Sequence, residues 1–463
     1  MTKKYFIEGK IAILTTITLI LIFAGCIDSG TNIQKKDGYE EDDGTQVTIN
    51  WLTRWKDEHL RETLIHEIAN EFEFENPNIE VNYQFFQDVG LNSDPDIAEK
   101  IVEMINTGNY EWDIVVANTG VYGDVAELLN DSYWGEKYLV DFLEVEGFSE
   151  TQKSFIIDNY LDEYGGILVG PYIEGFYTML WYNTEVADEI GIEIKQYGMT
   201  FDDLVEYVKA VYEYNQQNGT NIAAFYESNS DWRTTEYMFG HLFKSDIGNF
   251  SLVKEETFTE QKNQSLLKTF QAMEELSKYE PLLKGHDNRA WYDTRNMSFD
   301  GTVLFTVNGA WMYNHWMDMD ENKTYLMMPA ELPVFQNVDF YMGSYIPQFA
   351  VMKDAPNKEA AIELMKYIST PTIAEKWIRY TKAPTGIKGH LTTSDVADDQ
   401  FEQFQSEINE KYQGRLHFSD NAGYILGEEN KLIDSLIDEL MIDVLDGEIT
   451  AEQAHAQVLE NME

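Results

Sequence analysis

The sequence predicts an α/β protein with a wound sheet of alternating strands and helices, and three observations carry that expectation. From Val47 onward, short strand-type apolar runs alternate with amphipathic helical segments, the pattern of repeated strand–helix–strand units. Trp112-Asp-Ile-Val-Val-Ala117 is a compact apolar run of the kind that parallel sheets bury on both faces. The chain has 463 residues, more than one core at ~150 residues per domain uses, so two large domains or three smaller ones are expected.

Taken in order, Val47-Thr-Ile-Asn-Trp51 alternates as a strand and Leu52 continues it. Leu60, Leu64, Ile65, Ile68, Ala69 and Phe72 mark one helical face that Asn76-Pro77 ends. Ile79 to Tyr83 alternates again, Ile97 to Ile105 is helical, and Val121 to Leu129 forms a helix after the Trp112–Ala117 strand. In wound sheets ligands sit at the carboxyl ends of the strands. Those ends are Thr53-Arg54-Trp55 and Asn118-Thr119-Gly120. A second α/β unit follows Gly165-Gly166, with a strand over Tyr177 to Asn183 and a helix that Thr200 caps with Asp203 three residues on. Phe250 to Pro281 reads as an amphipathic helical stretch, while Thr302 to Asn308 and Tyr345 to Met352 read as strands. Leu432 to Leu445 is helical, Gly447 breaks it, and Thr450-Ala-Glu-Gln453 opens a last helix with a capping box. No short repeat indicates a solenoid or propeller.

Composition restricts function. There are 82 acidic against 33 basic residues, a formal net charge of −49, so a phosphate backbone would be repelled and nucleic acid is excluded as a partner. The acid reads as a solvated surface suited to salty surroundings, with cation collection as the other possibility. Lys3, Lys4 and Lys10 precede an apolar stretch from Ile11 to Ala24, of signal-peptide length and short of the ~20 residues that span a membrane. It ends in Phe23-Ala24-Gly25-Cys26, which resembles the lipobox of prokaryotic secreted lipoproteins, with Phe23 where leucine is usual. A plain signal peptide or an uncleaved anchor is the alternative. Cys26 is the single cysteine, so neither a disulfide framework nor a zinc–thiolate cluster is expected in the folded body. Residues 26–46, with Gly38-Tyr-Glu-Glu-Asp-Asp-Gly44, read as an acidic flexible tether behind a signal peptide at 1–25.

Seven segments, in order, resemble the extracellular solute-binding proteins that deliver sugars to ABC importers, the maltose-binding-protein-like group. They are Ala69–Val81, Trp112–Val116, Pro171–Asn183 with Gly191-Ile192 and Thr200–Leu204, Gly301–Trp311, Ala355–Ala361, Ala383–Gly386 and Asp446–Ala454. The resemblance implies a two-lobed periplasmic-binding-protein-like α/β fold with a ligand cleft between the lobes. Lobe 1 is expected over residues 47–171 plus about 347–390, and lobe 2 over 172–346 plus about 391–463. It also implies a monomeric carrier with ABC permease subunits as partners, a lipid anchor facing outside the cytoplasm, and no cofactor or metal. Carriers of polyamines, phosphodiester head groups and iron share the scaffold, so the cargo stays open between carbohydrate and these.

A sugar ring has an apolar C–H face and a polar equator, so its site needs flat aromatics and hydrogen-bonding groups on two closing lobes. The candidates are Arg54, Trp55 and Asn118 at strand ends, Glu174 and Tyr177 at the crossing between lobes, Ser228 and Trp232 in a polar loop, and Trp311 and Tyr345. By resemblance, Trp311 stacks on ligand. Each has a plainer reading: most aromatics here pack, as Trp51, Trp134, Trp316 and Trp377 are expected to, and Glu174 could be a hinge carboxylate paired with a lysine. His59 and His66 lie about two helical turns apart and read as surface. No Gly-x-Ser-x-Gly, His-Glu-x-x-His, P-loop or dinucleotide fingerprint is present. An enzyme is therefore not expected, although so many carboxylates leave a secreted glycosidase uncounted out.

The lipobox reading makes one prediction. Cys26→Ser releases the protein from the membrane fraction; retention there would identify Ile11 to Ala24 as an uncleaved anchor.

Overall fold

The computed structural model describes residues 46–228, 235–254, 257–290, 293–397, 399–417 and 434–462. The segments expected as signal peptide (1–25) and tether (26–46), apart from Gln46, therefore lie outside the described residues. Strand β1 (Val47–Thr53) turns Ile49 and Trp51 into the core. Helix α1 (Leu60–Glu75) packs Leu64, Ile65, Ile68 and Phe72 inward, and the Asn76 amide caps it by donating to the Phe72 carbonyl at 2.9 Å. Strand β2 (Ile79–Phe85) runs parallel to β1 in register from Val47↔Ile79 to Thr53↔Phe85. Helix α2 (Asp94–Thr107) starts from a capping box between Ser93 and Asp96, followed by β3 (Ile114–Val116) and α3 (Thr119–Leu129).

The chain then enters a second sheet through β4 (Glu174–Asn183) and α4 (Phe201–Asn218), which begins at the expected Thr200–Asp203 capping box. β5 (Ala223–Phe225) and β6 (Val303–Gly309) follow, then α5 (Met312–Asp320), β7 (Met327–Ala330) and β8 (Gly343–Ile346). β9 (Phe349–Val351) returns to the first sheet, backed by the helix Lys358–Ile368; α6 (Pro371–Thr381) then packs on α1, before α7 (Gln400–Tyr412). The strand orders are β2-β1-β3-β9 and β5-β6-β4-β7, with β8 paired to β4. The first sheet is parallel apart from β9, whereas β4 is antiparallel to β6, β7 and β8. No described helix is long and apolar enough to cross a membrane.

Two sequence expectations need correction. The strand expected over Tyr345–Met352 is two strands in different sheets. Pro347 lacks a donor and Gln348 has a left-handed backbone, φ 63°, so the ladder cannot continue through them. The helical stretch expected between Phe250 and Pro281 is also two elements, Phe250–Val253 and Glu260–Ser277, because Thr259 starts a fresh helix by accepting from the Lys262 N–H.

The passage between sheets is a narrow antiparallel ribbon in which Glu174–Tyr177 pair with Gly343–Ile346. A third segment lies against it: the Tyr172 carbonyl accepts from the Gly386 N–H at 2.9 Å and from the Thr385 hydroxyl at 3.1 Å. Ribbons tied at a few residues bend more readily than packed layers slide, which is hinge geometry. At Gly175 the ribbon and the third segment approach too closely for a side chain, since a Cβ there would lie 2.6 Å from the Pro384 carbonyl oxygen. Gly175→Ala must push the third segment away and is expected to cost about 1–3 kcal/mol, read as a lower midpoint in urea at unchanged slope.

Candidate functional site

Arg54 leaves the carboxyl end of β1 and pairs with Asp94 at 3.4 Å. Asp94 opens α2 and accepts from the Asn118 amide at 2.9 Å. Asn118 caps α3 through its own carbonyl oxygen, which takes the Val121 N–H at 2.8 Å. Arg54 and Asn118, expected from separate strand ends, are thus brought together by a carboxylate that sequence reasoning missed. Its signal was present: Ser93 and Asp96 bracket Asp94 as a helix start, which places the carboxylate near the strand ends.

Trp55 departs from expectation. Its backbone is left-handed, φ 77°, and its ring is 1% exposed. Trp377 lies 5.4 Å away and Phe349 5.7 Å away, edge-on. The Arg61 guanidinium stands over both tryptophans, 5.9 Å from the Trp55 centroid and 5.3 Å from that of Trp377. The ring is a core side chain in this structure and not an open platform. Glu174 is likewise engaged: it pairs with Arg61 at 3.2 Å and accepts from the Gln348 amide. The plainer hinge reading describes its position, with arginine in place of the lysine considered. Tyr177 is buried and donates to Asn409 at 2.7 Å. Tyr345 is buried among Phe155 and Tyr160, at 5.0 and 5.5 Å. Neither tyrosine presents a face to the cleft here, because the ribbon that carries them is itself part of the core.

Ser228 is buried too; its N–H donates to Glu227 at 2.7 Å, and that carboxylate also takes the Thr235 N–H at 3.0 Å. Trp232 lies outside the described residues. Trp311 is half-buried at the N-terminus of α5. Phe176, on β4, meets its ring edge-on at 5.2 Å. A Cβ on Gly309 would fall within the Trp311 ring, so glycine is what allows the indole to fold over the end of β6. Trp51, Trp134, Trp316 and Trp377 are fully buried, as packing residues.

From Trp311, α5 extends toward lobe 1, where Asp318 meets His59 at 2.7 Å. Beside this contact is a cavity of about 420 Å3 lined by Asp57, His59, Glu62, Thr63, His66 and Asp318. His59 and His66 are surface residues as expected, 39% and 42% exposed, and both line this cavity. His66 lies 2.6 Å from the Tyr83 hydroxyl and 3.4 Å from Glu62. Glu62 in turn accepts from the Asp57 N–H at 2.7 Å. The lining is therefore hydrogen-bonding and acidic, drawn from α1 and its entry on one side and α5 on the other. Among the described residues, no group of three or more His, Cys, Asp or Glu is arranged to hold a metal.

The family model described as bacterial extracellular solute-binding protein matches residues 67–403. No curated protein matches the chain. Among solved structures, the GacH receptor of Streptomyces glaucescens GLA.O, determined unliganded and with acarbose and an acarbose homologue, superposes with a TM-score of 0.66 at 16% identity, covering 90% of this chain and 97% of that one. An ABC substrate-binding protein of Listeria monocytogenes in complex with cycloalternan gives 0.64 at 16%, covering 90% and 98%. Maltose-bound MalE3 of T. maritima gives 0.63 at 17%, covering 90% and 99%. At these identities the likeness establishes the fold, a two-lobed α/β arrangement over nearly the whole body.

Asp124 on α3 offers a pH test of the lobe 1 rim. Burial, and then the neighbouring Asp94 carboxylate, push its pKa from 3.8 up to about 6. The folded state thus binds this proton more tightly than the unfolded chain, and the associated stability is lost as pH rises from the unfolded value through about 6. Asp124→Asn is expected to melt higher than the parent at pH 8, by the equivalent of about 1 kcal/mol after solvent screening. The gap should close at acid pH below the unfolded value.

Proposed function

The chain belongs to the bacterial extracellular solute-binding proteins, and from that premise we propose that it captures a carbohydrate between its lobes and delivers it to an ABC importer. The observation that carries this reading is Trp311: a partly exposed indole folded over a glycine at a strand end, leading the helix whose last turn reaches the pocket lined with carboxylates and imidazoles. An indole face suits the C–H face of a sugar, and the polar lining suits its hydroxyls. The proteins of similar fold support it, since acarbose, cycloalternan and maltose are what GacH, the Listeria protein and MalE3 were solved with. On this reading lobe 1 comprises 47–171 plus about 347–390 and lobe 2 the remainder of the body. Closure brings Trp311 and α5 against the rim formed by Arg54, Asn118 and the N-terminal turn of α1. Cys26 carries lipid, the 26–46 tether reaches to the body, and permease subunits receive the closed form. The family's role is binding, so the cargo leaves chemically unchanged.

A second cargo class has an observation behind it. Asp57, Glu62 and Asp318 put three carboxylates into the cavity, a lining that also suits an organic polycation.

Thermal-shift screening of the mature protein across oligosaccharides and polyamines separates the two, since a ligand at ~100 times its dissociation constant adds ~2.7 kcal/mol. An oligosaccharide is expected to give the largest shift. Trp311→Ala should weaken binding of that sugar at least tenfold, about 1.4 kcal/mol, with circular dichroism unchanged. Intact affinity alongside a collapsed melting point would make Trp311 a packing residue.

A further inference from the structure

The contact between His59 and Asp318 joins two parts of the molecule away from the hinge ribbon and the third segment that lies against it. His59 stands at the N-terminus of α1, which packs on the first sheet, while Asp318 is in the last turn of α5, which belongs to the second. Their side chains meet at 2.7 Å, and each is a little over one-third exposed. The pairs Lys195–Asp203 and Lys268–Asp246 stay within the second lobe, and Lys382–Glu402, at 3.3 Å, lies on the segment that returns beside the hinge, so none of them reports on the far side of the cleft.

Both members are placed at a local cost. His59 occupies the cap position of α1 with φ 49° and ψ −124°, and its side chain makes no capping bond to the helix. A non-glycine residue with positive φ is uncommon and costs free energy, and an unfilled cap forgoes about 1 kcal/mol. Asp318 puts a carboxylate in the C-terminal turn of a helix, the end where the backbone dipole disfavours negative charge. Neither placement serves its own element. Both become intelligible through the bond they make to each other across the cleft.

We propose that His59 and Asp318 are a latch: paired positioning residues that favour the closed arrangement of the lobes through their mutual contact. The inference rests on the clamp reading of the fold given above, but it does not depend on which ligand the clamp takes. Trp311 and Asp318 lie on the same helix, seven residues apart in numbering, so α5 brings the aromatic wall and the latch to the rim as one rigid unit. A ligand that draws Trp311 inward therefore also brings Asp318 to His59. Conversely, a preformed latch raises the population of the binding-competent closed state and so improves apparent affinity.

The test measures the distance between lobes without any ligand. In the full mature chain carrying Cys26→Ser, labels are placed on cysteines at Phe74, 88% exposed in lobe 1, and Tyr325, 63% exposed in lobe 2. His59→Gln and Asp318→Asn are each expected to raise the ratio of long-distance to short-distance molecules by about three- to fivefold. The double variant should go no further than either single one, and His59→Asp combined with Asp318→His should restore the parent distribution. Unchanged distributions in both single variants, or effects that simply add in the double one, would overturn the latch. Melting curves for every variant separate loss of fold from loss of contact. If the distances respond as expected while no sugar or polyamine binds, the cargo reading fails and the latch stands.

Discussion

Arg61 and Glu174 form the contact around which the middle of the molecule is arranged. Both are nearly fully buried, at 5% and 4% exposure, and each buried ion costs several kcal/mol to desolvate. A single Coulombic contact would not offset that, and the structure adds other partners. Glu58 approaches the guanidinium at 3.3 Å, Gln348 donates to the Glu174 carboxylate, and Trp55 and Trp377 offer their rings to the cation. Each partner comes from a different segment: the α1 entry, the β8–β9 turn, the end of β1 and helix α6. Satisfying one buried charge pair therefore fixes where lobe 1 meets the hinge. It also explains the fate of Trp55, whose indole is more useful sealing this pair from water than standing open at the cleft.

On the proposed reading, the two walls of the cleft differ in kind. Lobe 1 presents an ionic rim, where Asp94 ties Arg54 to Asn118 and His59, Glu62 and His66 line the cavity. Lobe 2 presents α5, led by Trp311 and closed by Asp318. On the proposed carbohydrate reading, a hydroxylated ring meets the rim with its edge groups and the indole with its C–H face. Surface ion pairs elsewhere, such as Lys100 with Glu103 or Lys366 with Glu363, add little to stability individually. In so acidic a chain they mainly relieve local repulsion.

What the sequence revealed and what it hid divide along the range of the interactions. The alternation in Val47–Leu52, the stop at Asn76-Pro77, and the capping boxes at Thr200–Asp203 and Thr450–Gln453 are local devices, and the structure has each of them. The break between β8 and β9 was also local, at Pro347, but an otherwise continuous apolar run concealed it. Trp55 was different in kind. Its burial depends on Phe349 and Trp377, some three hundred positions away, and no window around Trp55 contains them. Asp318 and His59 illustrate the same limit. A histidine beside an acidic stretch has no visible partner until the lobes are folded.

The strand order of the first sheet has a consequence for how the protein is made. β3 pairs with β9, and between them the chain builds the whole strand framework of the second sheet, from β4 to β8. Lobe 1 therefore cannot complete its sheet until synthesis has passed Val351, and the helix that covers β9, Lys358–Ile368, comes later still. Contacts of such long sequence separation form slowly, since the loop entropy must be met before the pairing rewards it. For a member of an extracellular family, this delay keeps the nascent chain threadable: an incomplete sheet can still be drawn through a narrow secretion channel, whereas a finished one would have to be unfolded first.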